Sequence, residues 1–349
     1  MTAAPPVTIG HVGTWFPDTV RTVDRLAEGL PDARRGHARA LGIDEVRAAD
    51  GLTESDLAVR AAEATLRATG TEAAELDALL LVQGRAPQYL MASEATRVQH
   101  AIGAHRALVS GVGDLGCVSV SAAFSLGTGL LRGMPGFRRV LVVATSKAAA
   151  PARYRPPMTI VGDGAAAVLL TTSGEPGPFE LVDQSLRTDG AFADLFRIDY
   201  RDVPERDWAE QCANEPDYTF RLAVRSRKEF LALNEDLLRR NGLTGGDITA
   251  HLTQNLSGGA FGFWQEALDV PIDPVCGRNL ARYGHLGPVD VLLNMADAAP
   301  ALNPGAHALV MNSSPVAAWS SWLVRRTAHA AAPTPGAAAT PTPGTEEPR

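Results

Sequence analysis

Gly111-Val112-Gly113-Asp114-Leu115-Gly116-Cys117 leads into residues 115–131, a stretch without a charged side chain. It is about 17 residues long and rich in Ser, Gly and Thr, too short and too polar for a bilayer span of about 20 apolar residues. A helix with no charge on any face is expected in the centre of a large protein. The glycines also spell G-x-G-x-x-G between a strand and a helix. A dinucleotide site would need an acid at the end of the next strand for a ribose hydroxyl. That strand runs into Thr145-Ser146-Lys147 and has none, which counts against a nucleotide. Cys117 stands where strand turns into helix. Positive partial charge at a helix N-terminus favours the thiolate and makes the sulfur a better nucleophile. The competing reading is a small buried cysteine packed on the sheet, and the local sequence leaves both open.

Outward from this segment, strands and helices alternate. Strands are expected at residues 7–13, 78–82, 107–109, 140–144 and 165–170, with a turn at Gly162-Asp163-Gly164. Thr53-Glu54-Ser55-Asp56 has the form of a capping box opening a helix through Leu57, Val59, Ala62 and Leu66, and another helix is expected over 92–102. The second half repeats the rhythm: a strand at 179–182, a helix over 218–240, a strand before Gln254, helices over 261–268 and after Pro288, and a last strand at 308–311. This predicts an α/β fold with mainly parallel strands. The halves, residues 1–172 and 173–327, suggest a duplicated architecture, although no exact sequence repeat supports it. Residues 328–349 are mostly Ala, Pro, Thr and Gly, which predicts a disordered, dispensable tail.

Composition narrows the function. The chain has 349 residues, 45% hydrophobic and 20% charged, with a net charge of −7 and a pI near 5.6. Nucleic acid and anionic membrane are therefore not expected as partners. Residues 1–6 show no basic region before an apolar core, so no secretory signal is expected. Cys117, Cys212 and Cys276 lie far apart, with no metal-ligand spacing and an odd count that argues against a disulfide framework. A reducing cytoplasm fits that usage. No metal or redox cofactor is expected.

Asp114-Leu115-Gly116-Cys117 before a Ser/Ala/Gly-rich helix resembles the nucleophile motif of β-ketoacyl carrier-protein synthase III and its thiolase-fold relatives. Other landmarks follow in family order: Gly42-Ile43-Asp44-Glu45-Val46-Arg47 and Ser55-Asp56-Leu57-Ala58, then Ala86-Pro87-Gln88-Tyr89 with Val98-Gln99. Gly162-Asp163-Gly164-Ala165, Thr188-Asp189-Gly190 and Tyr283-Gly284 come after the nucleophile. The resemblance spans residues 7 to 325. It implies a thiolase-like fold, two βαβ halves forming a five-layered α-β-α-β-α core, a homodimer, and Cys117 as the acyl-carrying nucleophile. Carrier-protein or coenzyme A thioesters are the implied donors.

The departures are as informative. In the family's condensing enzymes an Asn follows Tyr-Gly, and a His lies about thirty residues earlier. Here Tyr283-Gly284 is followed by His285, and Asn255 stands thirty residues before it, so His and Asn have exchanged places. A His in that slot can take a proton from an incoming hydroxyl, amine or thiol and return one to a leaving group. Asp290 can fix its tautomer, as in a Cys-His-Asp arrangement, or merely complement the dipole of a helix opened by Pro288. His251 is the alternative base if a bulge shifts the register. Asn255, with the backbone N–H groups of Cys117 and Ser314, is expected to hold the oxyanion. The tryptophan with which relatives hold coenzyme A is missing from residues 30–41. That leans toward an acyl carrier protein, whose phosphopantetheine or acidic helix Arg34, Arg35 and Arg39 would meet. The expected activity is non-decarboxylating acyl transfer in polyketide or antibiotic biosynthesis. The alternatives are a decarboxylating synthase that primes a polyketide or fatty acid, and an inactive carrier-binding partner.

Overall fold

The structure, a computed structural model, describes residues 6–83, 89, 91–172, 174–316 and 318–329. The landmark residues Ala86, Pro87 and Gln88, and most of the expected disordered tail, lie outside them. Nine long strands make one sheet among the described residues: β1 Val7–Trp15, β2 Ala78–Val82, β3 Leu108–Val112, β4 Arg139–Ser146, β5 Gly164–Thr172, β6 Phe179–Thr188, β7 Ile248–Thr253, β8 His307–Ser314 and β9 Ala318–Arg326. Their order is β7-β8-β9-β6-β1-β5-β4-β2-β3. Only three residue pairs, Val7 to Ile9 against Phe179 to Leu181, join β1 to β6. The sheet is thus two wings with a short seam.

The apolar strand runs split by alternation. Leu79, Leu81, Leu141, Val143, Ala165 and Ala167 face one cluster with helix α1 (Glu54–Thr69). Leu80, Val82, Val140, Val142, Ala166 and Val168 face the other, with Val120 and Phe124 of helix α2 (Ser119–Gly133). A strand buried on both faces reads as a continuous apolar run, because successive side chains point to opposite sides. On the other wing, helix α3 (Ala223–Arg240) covers the outer face of β6 and β9. Helix α4 (Asp290–Ala298) lies with α2 between the wings, touching β7 and β8 on one side and β1 and β5 on the other. The layers are therefore helix, sheet, helix, sheet, helix: the thiolase-like α/β fold.

The capping box at Thr53 forms as expected, with Asp56 and Thr53 exchanging side-chain-to-backbone bonds. Other expectations need correction. Only three pairings in the large sheet are parallel, and five are antiparallel. β8 turns directly into β9, so no helical crossover reverses the chain there. Strand β9 and the helix at Pro274–Tyr283 were not anticipated. Nor is the charge-free part of helix α2 buried all round, since Leu126 is 52% exposed.

Candidate active site

Two turns build the site, one from each half. Leu115-Gly116-Cys117-Val118-Ser119-Val120 and Leu286-Gly287-Pro288-Val289-Asp290-Val291 share four of six residues. They also share a conformation. Leu115 lies at φ −102°, ψ 16° and Leu286 at φ −106°, ψ 20°. Gly116 and Gly287 then take φ 53° and 55°, a left-handed geometry that favours glycine. Each turn passes through one 3-10 turn into a central helix, α2 or α4. The fifth residue caps its own turn: the Leu115 N–H donates to Ser119 Oγ at 3.1 Å, and the Leu286 N–H to Asp290 Oδ1 at 2.9 Å.

The two turns bring Cys117 and His285 together, with Sγ and Nε2 3.3 Å apart. Both are buried, His285 at 1% exposure. The ring's other nitrogen, Nδ1, lies 2.7 Å from Asp290 Oδ2 and 3.0 Å from the Asn255 carbonyl. Asp290 Oδ2 also accepts the Asn255 N–H at 3.0 Å. Asp290 thus lies in the first helical turn and bonds the imidazole at once. The main chain of His285 is tied on both sides: its N–H donates to Ile160 and its carbonyl accepts from Gly162. A Cβ at Gly162 would come 2.1 Å from the Tyr283 carbonyl, so only glycine allows this approach.

Burial pulls the His285 pKa down. The negative charge of a Cys117 thiolate at Nε2, and then that of Asp290 at Nδ1, outweigh it and hold the imidazolium up to about 10. Asn312 supports the nucleophile from β8, its Nδ2 donating to the Cys117 carbonyl at 2.8 Å.

Cys117 and His285 open on a cavity of about 350 Å³, walled by Phe196, Tyr200 and Trp208 on one side and by Ser314 and Pro315 on another. A second cavity, about 270 Å³ and lined by Tyr218, Leu256 and Trp264, also reaches Ser314 and Pro315. Ser314 sits close to the nucleophile turn: a Cβ on Gly116 would come 2.5 Å from its Oγ.

Other expected residues stand elsewhere. The side chain of Asn255 does not reach the cavity, because its amide exchanges bonds with Asn294. Its contribution is the main-chain carbonyl on His285, which corrects the oxyanion expectation. Arg34, Arg35 and Arg39 pair with Glu215, Asp32 and Asp24, and none of them lines either cavity. His251 is buried on β7, with its pKa lowered by desolvation, and no hydrogen bond joins it to Cys117. The Asp163 of the Gly-Asp-Gly turn is structural: Arg153 grips both its oxygens at 2.7 and 2.8 Å. The sequence offered no sign of the Asn294 and Asn312 supports. The turn repeat, by contrast, is visible in it.

Relatives and solved structures bear on this geometry. The chain is 30% identical over 295 residues to the β-ketoacyl-(acyl-carrier-protein) synthase III of Oleidesulfovibrio alaskensis, covering 80% of this chain and 86% of that one. It is 28% identical over 298 residues to the Koribacter versatilis enzyme of the same name, covering 82% and 86%. A third match, to that of Laribacter hongkongensis, is 30% identical but spans only 58% of the relative. Among solved structures, the ChlB3 acyltransferase superposes with a TM-score of 0.77 at 24% identity, covering 93% of this chain and 98% of that one. The priming β-ketosynthase of the R1128 polyketide pathway does so with a TM-score of 0.76 at 18% identity, covering 93% and 97%. At these identities the likeness is one of fold. No family model matches the chain.

Proposed function

The chain belongs to the β-ketoacyl-(acyl-carrier-protein) synthase III family of acyl-transferring enzymes, and we propose that within it the protein is a non-decarboxylating acyltransferase. One observation carries this reading: His285 Nε2 stands 3.3 Å from Cys117 Sγ with Asp290 behind it. Among the described residues, no asparagine side chain lines the Cys117 cavity. An enolate formed by loss of CO2 needs stabilising donors on the thioester oxygen. A hydrogen-bonded Cys-His-Asp chain supplies proton transfer instead.

The steps follow from the charges. The Cys117 thiolate attacks the donor thioester carbonyl, and the main-chain N–H groups of Cys117 and Ser314 hold the oxyanion. Collapse breaks the carbon–sulfur bond to the donor, whose thiolate takes the proton from His285. With the charge on Cys117 gone, the largest influence holding the proton on His285 is gone too, and the neutral ring becomes a base when one is needed. Nε2 then takes a proton from the acceptor hydroxyl, amine or thiol as its heteroatom attacks the acyl carbon. Expulsion of the Cys117 thiolate restores the ion pair.

The donor is a carrier-protein or coenzyme A thioester. An acyl carrier protein is the expected partner, since the matched relatives carry one in their names. The reading extends to polyketide or antibiotic assembly, the R1128 neighbour being itself the priming synthase of a polyketide pathway. The protein is proposed to form a homodimer through the edge strand β3 and the neighbouring exposed side chains Leu108, Leu126 and Met134. No helix among the described residues is long and apolar enough to cross a membrane. Incubation with malonyl thioester tests the reaction class. No CO2 release is expected, whereas stoichiometric CO2 with a carbon–carbon product would make the protein a condensing enzyme.

A further inference from the structure

The wall of the Cys117 cavity contains a feature that acyl transfer itself does not use. Arg155 and Glu210, 55 positions apart, form a bidentate ion pair: Nε and Nη2 of the guanidinium meet the two carboxylate oxygens, the latter at 3.2 Å. Their side chains are 20% and 12% exposed, and both line this cavity, so what remains open faces the space beside the nucleophile. Burial acts to lower the Arg155 pKa, but the charge of Glu210 overcomes it and Cys117 adds to the rise. The guanidinium is therefore charged and within electrostatic reach of the sulfur. Glu210 comes from a short hairpin, Phe196–Arg197 against Gln211–Cys212. The same hairpin contributes Phe196, Tyr200 and Trp208 to the wall.

A buried ion pair adds little net stability, because desolvation cancels much of the attraction. Placed in an aromatic wall, it presents donors and acceptors side by side. An alkyl chain would cover these groups without satisfying them, a carboxylate would meet the charge of Glu210, and an ammonium group that of Arg155. A hydroxyl both donates and accepts, so it can bond the carboxylate and the guanidinium together. The group bonded to Cys117 Sγ must occupy this cavity, since the sulfur opens on it. We propose that the Arg155–Glu210 pair selects acyl groups that carry a hydroxyl, making it the specificity determinant of the transferred acyl chain. This rests on Cys117 carrying the acyl group.

The test compares short-chain N-acetylcysteamine thioesters with and without a hydroxyl, at several positions along the chain. The rate of Cys117 labelling is followed by intact-protein mass spectrometry in wild type, in R155M/E210L and in E210Q. Wild type should be labelled at least about tenfold faster by the best hydroxylated member than by its alkyl counterpart, as sites built to bond a hydroxyl reject analogues lacking it. The ratio should fall to about one in R155M/E210L. E210Q keeps the shape of the side chain and guards against misfolding of the double variant, and it should give a reduced ratio. A wild-type ratio near one, or a ratio unchanged in variants with native circular dichroism, overturns the inference alone. Labelling by no thioester of either kind contradicts the acyl-enzyme itself, and this inference with it.

Discussion

The turn that carries Cys117 and the turn that follows His285 are the same piece of backbone used twice. In both, a leucine precedes a left-handed glycine, and the fifth residue accepts the leucine N–H. They differ in what that fifth residue has to spare. The hydroxyl of Ser119 serves its own turn. Asp290 fills the same slot with two oxygens, one for the turn and one for His285 and Asn255. A capping position therefore becomes part of a proton-transfer chain by gaining an oxygen, with no change in the fold around it. The third position differs as well: Cys117 brings a sulfur, whereas Pro288 has no side-chain chemistry and starts the helix well.

Copying one turn onto the other gives the largest expected effect. Asp290→Ser should keep the cap on Leu286 and lose the bond to His285, lowering acyl transfer by about a thousandfold or more. Asp290→Ala should be as inactive and also less stable, because two buried N–H groups lose their acceptor at about 1–3 kcal/mol each. Steady-state kinetics and urea unfolding of the two variants separate the roles. Equal activity of Asp290→Ser and wild type would mean that the carboxylate serves the turn alone.

The His285 titration should shift next. Nitrogen-15 NMR of the histidines should show the ring protonated through neutral pH, with a midpoint of about 10. The midpoint should be lower in Cys117→Ala and in Asp290→Asn, each of which removes a negative neighbour. Because the folded pKa lies above the unfolded value of 6.5, the stability this proton contributes is complete below that value. It is lost as pH rises through about 10. A midpoint unmoved by Cys117→Ala would mean the sulfur carries no charge beside the ring.

The glycines distinguish the turns more finely. Gly287→Ala meets nothing within 4 Å and should cost only the left-handed conformation, about 1–2 kcal/mol. Gly116→Ala incurs the same strain and also meets Ser314 Oγ at 2.5 Å, so its unfolding midpoint should fall further. Smallest of all, Ser119→Ala should lose the single hydrogen bond from the Leu115 N–H, about 1 kcal/mol. Chemical denaturation ranks the three, and an equal cost at both glycines would deny the close approach of Ser314 to the nucleophile turn.

Much of this was legible in the sequence, for physical reasons. Leu79 to Val82 and Val140 to Ala144 read as buried strands because both faces are covered. Thr53 and Asp56 announced a helix start through local bonds alone. The β8–β9 connection was not legible: strand direction depends on which neighbours a strand finds, and an apolar run looks the same either way. At the site, Cys117, His285 and Asp290 were legible because each sits in or near a motif slot. The amide of Asn255 was misassigned because its partner, Asn294, is 39 positions away and on another element. Arg155 and Glu210 were invisible for the same reason. The partners of Arg34 and Arg39, Glu215 and Asp24, were not legible because they lie on other elements.

The most direct test of the account is intact-protein mass spectrometry after incubation with a panel of acyl thioesters. Wild type should gain the mass of one acyl group and lose it when an acceptor is supplied. Cys117→Ala should gain none, and His285→Ala should hold its adduct without turnover. The same adduct on Cys117→Ala, or none on wild type from any thioester, would contradict an acyl-enzyme at Cys117.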